Sequence, residues 1–274
     1  MATQDTVGRP SLALALRRDA KTAAMAAMSK VGESRIFLLE YLLRFARVGV
    51  LLSLWHVILA GRGVVSGMTL AQVLTYTLIA EVFADQFVCQ TELADDLWMG
   101  TIATRLLHPV NLVEHYAADM AGRWVFGLAL VSAPLLLVAP LLGVNPLPAS
   151  PLAGALFVVS LALAICVGLA MEFFFASLTL MLEQSVWVIA RIRRAVAAIL
   201  SGSLLPLALL PWGIGNVFGW LPFAATASAP LQIYTGTGNV ALLLLMQAGW
   251  CVVMWLVAGW LWRANRERMV GHGG

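Results

Sequence analysis

Charge is what this sequence has least of. Only 11% of its 274 residues are Asp, Glu, Lys or Arg, and lysine occurs only at Lys21 and Lys30. Soluble domains carry about 25% charged residues, so this chain has too little polar surface to cover a water-facing globule. Net charge is low as well, +3, and the bases lie beside apolar runs as membrane flanks do, which argues against a nucleic-acid partner. Cysteine is scarce: Cys89, Cys166 and Cys251 sit inside apolar runs at unrelated spacings, read as inert packing rather than a disulfide framework or a metal site. His56, His108, His115 and His272 make no metal-ligand pattern with them. A G-x-x-x-x-G-K-[ST] phosphate loop, a nucleophile elbow and an HExxH helix are all missing. The chain therefore reads as no enzyme, with no catalytic residue, no metal and no cofactor of its own. The N-terminus offers no cleavable signal, since SLALALRR is too short for an apolar core, so the first span must direct insertion.

What is present is apolar surface: 61% of residues, with a mean hydropathy of +0.88. An all-α integral membrane protein follows, because a helix of about 20 apolar residues crosses the hydrocarbon with its backbone satisfied. Six spans are expected. The sixth fits Val240 to Trp262; the third and fourth share the uncharged stretch from Trp124 to Met171, turning at LLGVNPLPASP; the fifth fits Ala195 to Pro211; the second fits Thr69 to Gln90. The first runs from Val48 to Ala60 and is short. Upstream of it Ile36 to Arg47 continues helically, with Glu40, Arg44 and Arg47 on one stripe. That pattern predicts an N-terminal cytoplasmic amphipathic helix that bends or continues into the membrane, its arginines snorkelling. Residues 1–35 read as a surface-lying or unstructured tail, or else a partner-binding arm; 36–265 as the six-span domain; and 266–274 as a short C-terminal tail.

With both termini cytoplasmic, sixteen of the seventeen Lys and Arg residues fall inside and only Arg62 outside, as the positive-inside rule requires. Trp98, Trp124, Trp187, Trp260 and Trp262 then lie near the inner boundary, and Trp212 and Trp220 near the outer one.

The stretch DDLWMGTIATRLLHPVNL, from Asp95, lies between spans two and three. As a helix it would gather Trp98, Met99, Ile102, Ala103, Leu106 and Leu107 on one side, and Asp96, Gly100, Thr101, Thr104 and Arg105 mainly on the other. Asp95 and Asp96 at its start and Arg105 and His108 at its end suit the helix dipole, and Pro109 stops it. Two readings stay open on these residues, an interfacial linker or a handle gripped by a cytosolic partner.

No charged residue separates Arg194 from Arg263. Two spans need only about 40 residues, so Trp212 to Gly238 forms an uncharged outer connection. Such backbone enters membrane depth only where protein or a cavity shields it, and short re-entrant helices are expected there, with a hydrophobic surface loop as the alternative. Within the spans three acids stand out. At about 1.5 Å per residue, Glu81 lies roughly 18 Å in from Thr69 and Asp85 roughly 24 Å. Glu172 lies roughly 30 Å in from Leu152 by the same count. All three are thus near the inner side, level with Arg44 and Arg47. Ion pairing, a substrate-facing role and a proton relay are the three uses open to them.

GTIATRLLHPV, with Gly100, Leu106, Leu107 and Pro109, resembles the loop after the second span in permease subunits of the ABC-2 type of ABC transporters. Members commonly carry a basic residue before that glycine, where this chain has LWM. The stretch Ser201 to Gly236 is similar to the family's fifth span and outer segment, through Gly202, Pro206, Pro211, then Leu221, Pro222 and Phe223, then Pro230. The resemblance covers about residues 36–265. It implies a coupling helix at 95–109 docking on a separate ATPase subunit that binds ATP and Mg, and a second permease subunit, identical or paralogous. It also implies export across a bacterial inner membrane, amid lipid. A proton-coupled carrier or channel using Glu81, Asp85 and Glu172, and an assembly subunit without transport, are the competing readings.

Overall fold

In the computed structural model, which describes residues 17–25, 36–102, 104, 111–182 and 185–265 and leaves aside the side chains of 36–38, 40, 41 and 186, the apolar runs are helices of two kinds. Some are long and continuous; others are short and broken. Among the described residues four helices are long and apolar enough to cross a membrane: α2 (Ile36–Leu59), α6 (Leu112–Leu142), α7 (Pro151–Leu182) and α12 (Val240–Ala264). α6 is not regular throughout; a π-helical turn occupies Leu128–Ser132 and a 3-10 turn Ala139–Leu142.

Upstream, α1 spans 17–25 and is tied to α6 by an ion pair between Arg18 and Glu114 at 3.0 Å. The stretch 1–35, expected as a surface-lying or unstructured tail or a partner-binding arm, thus contains a helix; 1–16 and 26–35 lie outside the described residues. Of the two courses expected for the arginine-bearing helix, bending or continuing, the described residues show the second. The stripe bearing Arg44 and Arg47 and the apolar run after it form one helix, α2. Glu40 lies on it, with its side chain outside the described set.

A short hairpin with a two-residue turn joins α2 to the next helix. Val64–Val65 pairs antiparallel with Met68–Thr69, and Ser66 and Gly67 both take positive φ, 50° and 80°, which matches the right-handed twist of the two short strands. Thr69 then caps α3 (Leu70–Val82) in a reciprocal box with Gln72.

The second expected span, Thr69 to Gln90, is not one helix. α3 stops at Phe83 and α4 (Ala84–Val88) follows, ending at Cys89 in the left-handed region. The carbonyls freed by the break find side-chain donors: Arg44 Nη2 to Glu81 O at 2.7 Å and Ser132 Oγ to Val82 O at 2.6 Å. A break at that depth is sustainable only with such partners.

The fifth expected span also differs. The helix is α8 (Val186–Leu200), nine residues earlier than the stretch read as Ala195 to Pro211. It ends where Gly202 adopts φ +75° and Ser201 Oγ accepts from Ser203 N. Pro206 and Pro211 then prevent a restart in register. Arg191, Arg193 and Arg194, which the expected span would leave just ahead of it, are inside the helix.

The chain's core lies along α7, which packs most extensively against α12 and also against α5 (Leu93–Trp98) and the helices α10 (Pro222–Thr226) and α11 (Ser228–Thr235). Buried Ala164, Val167 and Ala170 let the neighbouring helices approach closely.

Candidate functional site

Three acids within apolar helices meet three arginines. Arg47 Nη2 lies 2.9 Å from Glu81 Oε1. Arg44 Nη1 lies 3.1 Å from Asp85 Oδ2. Glu172 of α7 pairs with Arg193 of α8, both side chains largely buried. Arg193 goes further: its Nη2 donates to Val88 O at 2.9 Å, and its guanidinium carbon lies 5.7 Å from the Phe175 ring centre. Glu172 Oε1 in turn accepts from Thr91 N at 3.0 Å and Thr91 Oγ1 at 3.1 Å. A planar guanidinium suits this role, since it can serve a carboxylate and a carbonyl at once and lie against an aromatic face. Charges in apolar surroundings are tolerated when paired with each other or with backbone carbonyls, and this clamp uses both. It fastens α8 and α7 to the chain just ahead of α5.

The segment expected as one helix over 95–108 is broken. α5 ends at Trp98, and Gly100 takes φ +73° before the chain turns again. A residue with a Cβ is strained there. The expected faces are therefore not observed. Trp98 and Met99 are exposed, at 52% and 65%, whereas Ile102 is buried at 1%. Asp96, assigned to a polar outer face, is buried: Tyr116 Oη donates to its Oδ2 at 2.6 Å and Thr101 Oγ1 to its Oδ1 at 2.8 Å. Leu93 and Leu97 anchor the same side against Phe173 and Leu180. Thr104 is exposed and donates to Thr101 O at 2.6 Å. Arg105, Leu106, Leu107 and Pro109 lie outside the described residues. The result is a rigidly seated turn that presents two large apolar side chains outward.

Between α3, α4, α7, α8 and α10 is a cavity of about 260 Å³. Arg47, Glu81, Glu172 and Arg193 reach its wall, so two of the three ion pairs, Arg47 with Glu81 and Arg193 with Glu172, face it. Met171, Phe175, Trp187 and Phe223 supply apolar surface. The cavity thus borders both the clamp and the first of the two buried helices of the outer connection, and a shift of α8 against α7 would alter its shape.

Away from the ion pairs the chain is held by neutral groups. Gln247, fully buried on α12, donates Nε2 to Ala225 O at 2.8 Å and to Ser160 O at 3.1 Å, and accepts from Ser160 Oγ at 2.7 Å. Tyr76 Oη donates to Gly202 O at 2.8 Å, and Thr75 Oγ1 to Asn145 O at 2.8 Å. The expected outer segment falls into two parts. Pro211 begins a 3-10 turn, α9 (Ile214–Phe218) follows, and Trp212 is 91% exposed. Beyond Leu221, Pro222 opens α10 at its first position, as its missing N–H permits. Phe223 reaches the cavity, and Pro230 is buried within α11. Gly215 passes so close to Leu207 O that a Cβ would lie 1.8 Å from it.

Several of these residues were not singled out by sequence reasoning. Arg193 was counted only for orientation, and Thr91, Tyr116, Ser160 and Gln247 not at all. Gln247 did carry a signal, as an isolated amide within a long apolar run, where a polar side chain needs a partner. Cys166 and Cys251, at unrelated spacings, are brought together, with sulfurs 2.7 Å apart between α7 and α12.

Compared with known families, residues 45–273 match the family described as ABC-2 family transporter protein. No curated protein matches the chain.

Proposed function

The chain belongs to the ABC-2 transporter family, and from that premise we propose that it is the transmembrane permease subunit of an ATP-driven exporter in a bacterial inner membrane. ATP and Mg bind a separate ATPase subunit, and two permeases stand on two ATPases, with both termini cytoplasmic. The observation that carries this reading is the outward display of Trp98 and Met99 on a turn whose other side is locked to the bundle by Asp96, Tyr116 and Thr101. Exposed apolar side chains on a seated element suit a docking surface.

In this reading the ATPase grips residues 95–109, with Gly100 and Thr104 at the contact and Arg105, Leu106, Leu107 and Pro109 completing it. Displacement of α5 pulls on Thr91. Thr91 is bonded to Glu172, and Glu172 to Arg193, so the pull reaches α8 and the cavity it lines. The short helices from Pro222 to Thr235 close the path on the outer side. A substrate moves the equilibrium only if it binds the two arrangements unequally.

The pairing of Glu81, Asp85 and Glu172 with arginines supports a structural role for them over a proton relay. The test is capture of the tagged chain from native membranes. An ABC-type ATPase is expected to come with it, and to be lost from a Met99→Asp chain that still elutes as a single species. Transport that persists without any ATPase and stops when the proton gradient is collapsed would overturn the reading.

A further inference from the structure

Six charged side chains reach the cavity wall: Arg47, Glu81, Asp95, Glu172, Arg193 and Arg194. Four of them are spent on each other, as Arg47 with Glu81 and Arg193 with Glu172. The remaining two are of opposite sign and on different helices. Arg194, on α8, is exposed, and the contact recorded for its guanidinium is an Nε donation to Ala190 O at 3.3 Å. Asp95, half-buried on α5, has no ion pair among the described residues. Met171, Phe175 and Trp187 add apolar surface to the same wall.

We infer that this cavity receives the head of a zwitterionic amphiphile, its anionic group on Arg194 and its ammonium on Asp95, with the start of its tail on Met171, Phe175 and Trp187. The charge balance of the wall decides the class. A purely anionic head would meet three carboxylates for its three guanidiniums, and a purely cationic head the reverse. A head bearing both signs answers the two open charges without leaving one bare. A guanidinium binds phosphate or carboxylate by charge-assisted hydrogen bonds, and a carboxylate accepts from an ammonium in the same way. Size agrees: about 260 Å³ lies just below the ~300 Å³ lower end of ligand pockets, enough for a head group and the first carbons of a chain but not for a folded polymer. That the bound amphiphile is the transported substrate rests on the permease reading; that it binds here does not.

The experiment uses the purified full chain in detergent and measures retention of phosphatidylethanolamine, phosphatidylglycerol and diacylglycerol by native mass spectrometry. Phosphatidylethanolamine should be retained in preference to the other two. Arg194→Gln and Asp95→Asn should each weaken it about tenfold, the size of one charge-assisted bond lost. Arg191→Gln, an exposed arginine on the same helix outside the cavity wall, should leave it unchanged. Equal retention of the three lipids, or an Arg191→Gln loss as large as that of Arg194→Gln, would overturn the site. ATPase capture by Arg194→Gln is scored in parallel. A captured ATPase with no lipid preference defeats the site and leaves the permease reading, whereas lipid preference with no ATPase defeats the permease reading and leaves the site.

Discussion

The two ends of this bundle are held together by different chemistry. At the charged end, arginines on α2 and α8 cross to acids on α3, α4 and α7. At the other end no charge takes part, and amides, hydroxyls and backbone breaks do the fastening. A desolvated ion pair is stiff, because losing either partner strands a charge. Neutral hydrogen bonds between helices are weaker and more easily exchanged. The contrast suits the proposed reading, in which the end that would receive force is cross-linked by charges and the end that would open and close is held by weaker neutral bonds.

The largest effect should come from breaking the stiffest link. Arg193→Ala leaves Glu172 buried without its cation, and such a loss costs about 3–5 kcal/mol. Thermal unfolding in detergent should show it, and the Glu172→Leu/Arg193→Met double variant should recover much of the loss, because replacing both partners removes the stranded charge. A double variant as unstable as Arg193→Ala would mean that the contacts of Arg193 to the Val88 carbonyl and the Phe175 ring matter more than the pair.

A smaller effect is expected at the neutral end. Gln247→Leu removes the strut between α12, α7 and α10, and should cost on the order of 1–2 kcal/mol. Its mark should be regional, with faster hydrogen exchange confined to Ala224–Thr235. If exchange rises equally at the charged end, the two ends are not the separate units described.

Smallest of all should be Arg47→Gln. Arg47 is 57% exposed, so solvent already screens the pair, and Arg44 remains beside Glu81 through its backbone carbonyl. A loss of about 1 kcal/mol or less is expected in the same unfolding measurement, well below that of Arg193→Ala. A comparable loss would place Arg47 in the stiff set.

How much of this the sequence revealed follows from what each residue could signal by itself. The long helices were legible because hydropathy and the proline-rich turn at 140–151 are local properties. Ion pairing of Glu81, Asp85 and Glu172 was legible as one of three uses, since depth along a helix put them level with Arg44 and Arg47. The break at Phe83 was not, because the groups that satisfy it, Arg44 and Ser132, come from other helices. The early start of α8 was hidden for a related reason. Arg191, Arg193 and Arg194 read as a cytoplasmic loop, whereas Arg193 is satisfied inside by Glu172 and Val88. Asp96 was assigned to the wrong side because a single helical period was assumed through Gly100, whose left-handed backbone resets it. Only the tertiary partner, Tyr116, discloses where Asp96 points.

The proposed coupling depends on force entering from the cytosol through the turn between α5 and Thr104. The most direct measurement is labelling of a Thr104→Cys variant, in a chain with Cys89, Cys166 and Cys251 replaced by serine or alanine, in intact and in permeabilised cells. An impermeant thiol reagent should leave intact cells unlabelled, label permeabilised ones, and be blocked when the ATPase is bound. Labelling of intact cells from outside would put the turn on the wrong face of the membrane and contradict the proposed coupling.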